Sequence, residues 1–195
     1  LGIQLGPSQL ALAAMMGYSK IPVIIPPKIA IIGTGDELVE PGNKLEPGQI
    51  FESNTTALVG LVRNMGCQPV KYSFVNDDVD MLREIFEIAS LECDAIITSG
   101  GVSMGEWDLV RSLMDEEGDI KYWKVLVKPG GPPLFGTWNE TPFFGLPGNP
   151  VSSQVIFLLI VAPWISYSCG FHETKGPNLF QKVRVKLLNP AVGTK

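Results

Sequence analysis

The stretch "CDAIITSGGVSMGEWD" runs from Cys93 to Asp108. Its first six residues are a short apolar run of the kind that forms a fully buried strand. Gly100 and Gly101 then remove the Cβ, so the backbone can take left-handed angles and a ligand can approach closely. Ser103 places a hydroxyl two residues on, and Glu106 and Asp108 bring carboxylates into the start of a helix expected from about Glu106 to Glu117. Acids in a first helical turn are favoured by the helix dipole, so the two carboxylates have a structural reading beside a chemical one. Strand, glycine loop and helix in succession are the unit of an α/β sheet.

The same unit repeats on both sides. Upstream, "KIAIIGTGDEL" is an apolar strand breaking into a glycine-rich turn. "TTALVGLVRNMG", capped by Ser53 or Asn54, keeps Leu58, Leu61, Val62 and Met65 on one face until Gly66 closes it. "CQPVKYSFV" is the next strand, and "VDMLREIFEIAS" repeats Val79, Leu82, Ile85, Phe86 and Ala89 at helical spacing behind the cap Asp78. Downstream, the pattern predicts a strand over "IKYWKVLVK", a hairpin of "PLFGTW" with "PFFGLP", and a long helix from Pro150. This alternation predicts an α/β fold in three layers, a mostly parallel sheet flanked by helices with right-handed crossovers. Ligands of such sheets sit beyond the carboxyl ends of the strands.

The flanks differ from this centre. "GPSQLALAAMMGY" predicts a short helix capped by Ser8 and stopped at Gly17, and "IPVIIPP" has too many prolines for a central strand. Residues 1–27 are therefore expected to be a helix and linker from a preceding domain, and residues 28–170 the α/β domain. Residues 171–195 are expected to be a linker and the first strand, "LFQKVRVKLLNP", of a truncated C-terminal β domain, since one strand cannot bury its face alone. The first residue is Leu1 and no basic segment precedes an apolar one, so no signal peptide is expected and the chain is expected to be cut from something longer.

Composition narrows the function. In 195 residues the formal net charge is −5, which argues against a general nucleic-acid binder. Cys67, Cys93 and Cys169 are far apart and odd in number, which suggests neither a disulfide framework nor a zinc site and fits a reducing cytoplasm. "VIFLLIVAPWI" is about half of the ~20 residues that cross a bilayer, so it is expected to be a buried helix and no membrane partner is expected. His172 is the only histidine and lies in the apparent linker, which leaves a Ser-His-Asp mechanism little support.

Four strand-end loops and one helix start carry groups that plain turns do not need. In "GTGDEL", Asp36 and Glu37 offer hard oxygen ligands suited to Mg²⁺, and a capped turn accounts for them equally well. In "NDD", Asp78 caps the following helix and Asp77 is left over. The third loop is the one quoted first. In "KVLVKPG", Lys124 and Lys128 project from one face if the segment is a strand, beside acidic loops, as an anion held next to a metal would require. A solvated edge strand is the competing explanation. Last, in "GLPGNPVSS", Asn149 caps a helix whose first position is Pro150, and the N–H groups there with Ser152 and Ser153 make an anion site for sulfate, phosphate or a tetrahedral oxyanion such as molybdate.

In this order, "GTGDELVEPG", "PGQIFESN", "NDD", "TSGGVSMGEWD", "KVLVKPG" and "GLPGNPVS" resemble the MoeA family of molybdenum cofactor biosynthesis proteins, which includes the gephyrin E domain. The resemblance covers about Gly6 to Gly170. The related MogA and MoaB proteins share the fold and a similar Gly-Gly loop, and "GVSMGEWD" and "LPGNPVS" favour MoeA over them. The resemblance implies a molybdopterin-binding fold and an enzyme that inserts molybdate into adenylyl-molybdopterin with Mg²⁺, releasing AMP. It implies Asp77, Asp108, Lys124 and Lys128 as catalytic residues and Asp36, Glu37 and Asp108 as metal ligands. It places Gly35, Ser99, Gly100, Gly101, Ser103, Gly105, Pro129, Gly148, Asn149 and Ser152 against the pterin nucleotide. A homodimer of the full-length protein and a MogA-like enzyme upstream are its implied partners. Gly131 stands where the family often has a lysine. Two alternatives remain: a MogA-like adenylyltransferase, which would release pyrophosphate from ATP, and a non-catalytic gephyrin-like scaffold.

Overall fold

A computed structural model describes residues 3–73, 75, 78–102 and 108–171. Asp77, Ser103, Gly105, Glu106, His172 and the strand expected within 171–195 lie outside the described residues.

Helix α1 (Pro7–Met15) comes first, then strand β1 (Lys28–Gly33), two short strands β2 (Leu38–Val39) and β3 (Ile50–Phe51), and helix α2 (Asn54–Asn64). Strand β4 (Gln68–Lys71), helix α3 (Val79–Glu92), strand β5 (Ala95–Ser99) and helix α4 (Leu109–Glu116) continue the alternation. Strands β6 (Asp119–Trp123), β7 (Leu134–Trp138) and β8 (Thr141–Leu146) follow, and the chain turns into α5 (Pro150–Ile156), a π-helical turn (Phe157–Val161) and α6 (Ala162–Ser168).

Six strands form one sheet in the order β4-β1-β5-β8-β7-β6. The first four are parallel, with Gly33 opposite Ser99 and Ser99 opposite Leu146. The last two add an antiparallel edge through the expected hairpin. β1 and β5 are apolar at nearly every position because both faces of a parallel sheet are covered. Alternate residues divide between two cores. Ile29, Ile31 and Ile97 meet Leu58 and Val62 of α2 and Ile156, Phe157 and Ile165 of the last helices. Ala30, Ile32 and Ile96 meet Leu82 and Phe86 of α3 and Val110 and Leu113 of α4. The described part is thus the three-layer α/β fold that the strand–helix alternation predicts.

Three local expectations need correction. The strand over Ile120–Lys128 ends at Trp123 because Lys124 adopts φ +68, in the left-handed region, and the prolines at 129, 132 and 133 have no N–H to continue a ladder. The α1 cap is Gly6 and not Ser8: the Gly6 N–H donates to Gln9 Oε1 at 3.0 Å, closing the turn one residue earlier. Ser53 stands at the α2 cap position with no side-chain bond, and buried Glu52 does the capping, accepting from the Thr55 N–H at 2.7 Å and the Thr55 hydroxyl at 2.5 Å. The pair β2–β3 was not visible in the sequence, since two residues per strand carry no period. The run Pro150–Ser168 is long and apolar enough to cross a bilayer by length and composition alone. Ile156, Phe157, Val161, Ala162 and Ile165 spend that apolarity on the core.

Candidate functional site

The carboxyl ends of β1, β5 and β8 lie side by side, and the three loops that leave them meet. After β1, Thr34 is buried, and Gly35 takes φ +143. The Glu37 carboxylate folds back over Gly35, so that a Cβ there would lie 2.6 Å from its Oε2. After β5, the Gly100 N–H donates to Leu146 O at 3.1 Å, which fastens this loop to the end of β8. A Cβ on Gly100 would stand 2.5 Å from Thr34 O, and one on Gly101 2.5 Å from Val110 Cγ2. Both glycines have positive φ, +99 and +64, so these positions are restricted twice, by angle and by space.

The third loop brings Gly148 and Asn149 to the start of α5. Asn149 Oδ1 accepts from the N–H groups of Val151 and Ser152 at 3.1 and 3.2 Å. The cap is thus the expected one, but it uses amides that the sequence left free for an anion, so an incoming oxyanion meets the cap side chain in competition for them. Ser152 and Ser153 are buried, and Ser153 Oγ has no hydrogen-bond partner among the described residues.

Between the loops is a cavity of about 70 Å³ lined by Thr34, Glu37, Glu52, Asn54, Ser99, Gly100 and Gly148, with Leu38, Ile50, Phe51, Ser53 and Pro150 completing it. Drug-sized ligands occupy sites of roughly 300 Å³ or more. The cavity therefore suits a single oxyanion-sized group or a few waters, with the rest of a nucleotide lying outside. Its floor holds a residue that sequence reasoning took for a helix cap: Asn54 Nδ2 donates to Ser99 Oγ at 2.8 Å and to Gly148 O at 2.7 Å. These partners are 45 and 94 residues away, so no local pattern could reveal them.

The lysine loop is built differently. Lys124 and Lys128 are both exposed, and with the strand ended at Trp123 they do not share a strand face. The loop closes on itself through Val125 N–H to Gly131 O at 3.0 Å, and Gly130 reaches α5, where a Cβ would stand 2.7 Å from Ile156 Cγ1. That contact sets the "KPG" turn against the helix that carries Ser152. The Lys124 ammonium lies 3.9 Å from the centre of the Trp123 ring, whose centre is also 3.7 Å from the Arg111 guanidinium. Two cations on one indole place positive charge where the sequence foresaw only the lysine.

Asp108 is buried and caps α4, its Oδ1 accepting from the Arg111 N–H at 3.3 Å. Asp78 caps α3, accepting from Asp80 and Met81 at 2.9 and 3.0 Å. Asp36 and Glu37 are exposed. No three of the described His, Cys, Asp and Glu residues come close enough to form a metal group, and Asp77 is outside the described residues. Burial, with Cys169 beside it, pushes the Cys67 thiol up to about 12, and burial raises Cys169 too, so neither thiol is a nucleophile at neutral pH.

Comparison with known proteins bears on the family and the fold. The family described as "Probable molybdopterin binding domain" matches residues 30–167. The molybdopterin molybdenumtransferase of Haemophilus influenzae is 36% identical over 192 residues, covering 98% of this chain and 48% of that protein. The Drosophila melanogaster molybdenum cofactor synthesis protein cinnamon is 40% identical over 172 residues, covering 86% of this chain and 28% of that protein. Among solved structures, a molybdopterin biosynthesis MoeA protein from a Pyrococcus archaeon superposes with TM-score 0.79 at 35% identity, over 88% of this chain and 43% of that one. MoaB from a Thermus bacterium gives TM-score 0.55 at 16% identity over 74% of this chain and 97% of its own, a likeness of fold alone. The chain spans about half the length of its bacterial relatives.

Proposed function

The chain belongs to the molybdopterin-binding domain family, and from that premise we propose that it supplies the pterin-nucleotide site of a molybdopterin molybdenumtransferase. Its reaction is the transfer of molybdate to adenylyl-molybdopterin with release of AMP. What carries this reading is the extent of likeness to proteins of that name, nearly the whole chain. The likeness to MoaB is one of fold and does not favour adenylyl transfer.

In this proposal the loops after β1, β5 and β8 bind the phosphate end of the nucleotide at the small cavity, through Gly35, Ser99, Gly100, Gly101, Gly148, Asn149 and Ser152. Lys124 and Lys128 neutralise charge that builds on phosphate and molybdate as the phosphoanhydride breaks, with Pro129 setting the turn between them and α5. Ser103, Gly105 and Asp77 belong to the same proposal through their motifs. Mg²⁺ keeps several waters and takes one or two carboxylates besides phosphate oxygens. Asp36 and Glu37, adjacent on an open glycine turn beside the cavity, fit that demand and would hold the ion. Bound there, it supplies Lewis-acid charge to the phosphate oxygens. Asp108 acts from the start of α4, at the far side of the Gly-Gly loop. The working protein is proposed to be a cytoplasmic homodimer that receives its substrate from a MogA-like adenylyltransferase.

The test is AMP release from adenylyl-molybdopterin, followed with and without molybdate and Mg²⁺. Release that requires molybdate is the expected outcome. Pyrophosphate release from ATP and molybdopterin would replace insertion by adenylyl transfer, and neither release nor calorimetric binding of the adenylylated pterin would overturn both.

A further inference from the structure

We infer that Asn54 is a positioning residue that fixes the hydrogen-bond polarity of the site, making the Ser99 hydroxyl a donor toward a bound phosphoryl or other oxyanion; this rests on the function proposed above. The argument begins at Gly148. A carbonyl oxygen only accepts, so the Asn54 atom 2.7 Å from Gly148 O must be the amide nitrogen, and the orientation of the amide is settled by chemistry. The same nitrogen lies 2.8 Å from Ser99 Oγ. Its two hydrogens go one to each loop.

Ser99 has one hydroxyl hydrogen. Because Oγ already accepts from Asn54, that hydrogen remains to donate, and Ser99 gives it to no other described residue. Ser99 is 3% exposed, and it lines the cavity together with Asn54 and Gly148. A buried hydroxyl held as donor at the rim of an oxyanion-sized space is suited to an anion and unsuited to a cation. At Gly148 the consequence is similar. The peptide unit joining Gly148 to Asn149 is trans, so with its carbonyl turned to Asn54 its N–H points away from Asn54. One side chain thereby orients a hydroxyl on one loop and a peptide dipole on another.

The experiment is calorimetric titration with AMP, using adenosine as the uncharged control, on this chain and on Asn54→Ala, Asn54→Asp, Ser99→Ala and the double variant Asn54→Ala with Ser99→Ala. Asn54→Ala is expected to weaken AMP at least fivefold with adenosine within twofold. Asn54→Asp, of the same shape but only an acceptor, turns the Ser99 hydrogen toward itself and is expected to weaken AMP at least twentyfold. In the Ser99→Ala background, Asn54→Ala is expected to add less than twofold. Equal losses for AMP and adenosine, or full additivity of the two alanines, overturn the inference and leave the functional proposal standing. If the unsubstituted chain binds no AMP, release and binding of the adenylylated pterin decide the functional proposal as above, and amide exchange judges Asn54 alone. Gly100 and Ser153 N–H groups should exchange at least tenfold faster in Asn54→Ala with Leu82 unchanged, and unchanged rates at all three would overturn the tie.

Discussion

The loop after β5 and the loop after β6 both present glycines to the site, yet they are made on opposite plans. In the first, Gly100 lies against Thr34 O, its N–H is bonded to Leu146 O, and the Ser99 hydroxyl is tied to the Asn54 side chain. In the second, only Gly130 is packed tightly, against Ile156; the parts that face solvent are long side chains, Lys124, Leu126 and Lys128, and a Cβ added at Gly131 would make only ordinary contact at 3.5 Å. The turn at residues 99–101 is held before any ligand arrives, so it can aim donors without further ordering. The other brings charge on flexible stems, which a ligand must order, at a cost of roughly 0.5–1.5 kcal/mol for each immobilised side chain. A site that needs both geometry and charge has divided the two between loops.

The largest effect that could break this contrast is expected from Gly100→Ala. A methyl group against Thr34 O at φ +99 should cost about 3–4 kcal/mol. The thermal midpoint should fall by roughly 6–15 °C, on the scale of about 2–4 °C per kcal/mol for a chain of this size. A shift under 2 °C would show that the loop is not held as tightly as its contacts imply. Next is Lys124→Ala, which on the proposed mechanism lowers AMP release about a hundredfold, or ~3 kcal/mol of barrier, while moving the thermal midpoint by less than about 2 °C. A change in activity below threefold would remove Lys124 from the chemistry. Equal damage to stability and activity would erase the distinction between the two loops.

A smaller effect sharpens the comparison through pH. Cys67 lies in the core beside α2, just before β4 at the amino ends of the parallel strands and so at the opposite end of the sheet from the site loops, and its thiol is raised from 9.0 to about 12 in the folded chain. The folded state therefore holds this proton more tightly than the unfolded one, and the associated stability is complete below pH 9 and is lost as pH rises from 9 toward 12. Chemical denaturation at pH 8, 9.5 and 11 should show that decline, and Cys67→Ala should flatten part of it. The smallest effect belongs to Leu126→Ser. This side chain is fully exposed, so stability should change by under about 0.5 kcal/mol. A larger loss would mean that the lysine loop packs against something in solution.

What the sequence revealed and what it hid divide along the distance between interacting residues. The caps at Asp78 and Asn149 were legible because donor and acceptor lie two or three residues apart. The helices α2 and α3 were legible from apolar spacing, since each lays one stripe on the sheet. The site loops were visible as unusual compositions, and their meeting follows from the parallel order of β1, β5 and β8. Asn54 was hidden because both of its partners are remote in sequence, and α2 offered it an ordinary role as a cap. The lysine strand was misjudged because "KVLVK" alternates like a strand. Nothing local to that segment shows that the following prolines leave it without a ladder, or that Lys124 takes a left-handed turn. The π-helical turn at Phe157–Val161 stands just before Pro163, which has no N–H to continue the α-helical ladder.

The tie between Asn54 and Gly148 also sets a clock. Synthesis adds roughly 5–20 residues per second, and the two residues are 94 apart, so a growing chain carries Asn54 for roughly 5–20 s before its carbonyl partner exists. During that interval α2 and β1 are present, but the pocket has no third wall. On the function proposed above, ribosome-bound chains that stop short of Gly148 present no finished anion site, whatever else has folded. Ligand capture would then signal that the last parallel strand has been made and inserted, separating chains that have passed Gly148 from those that have not.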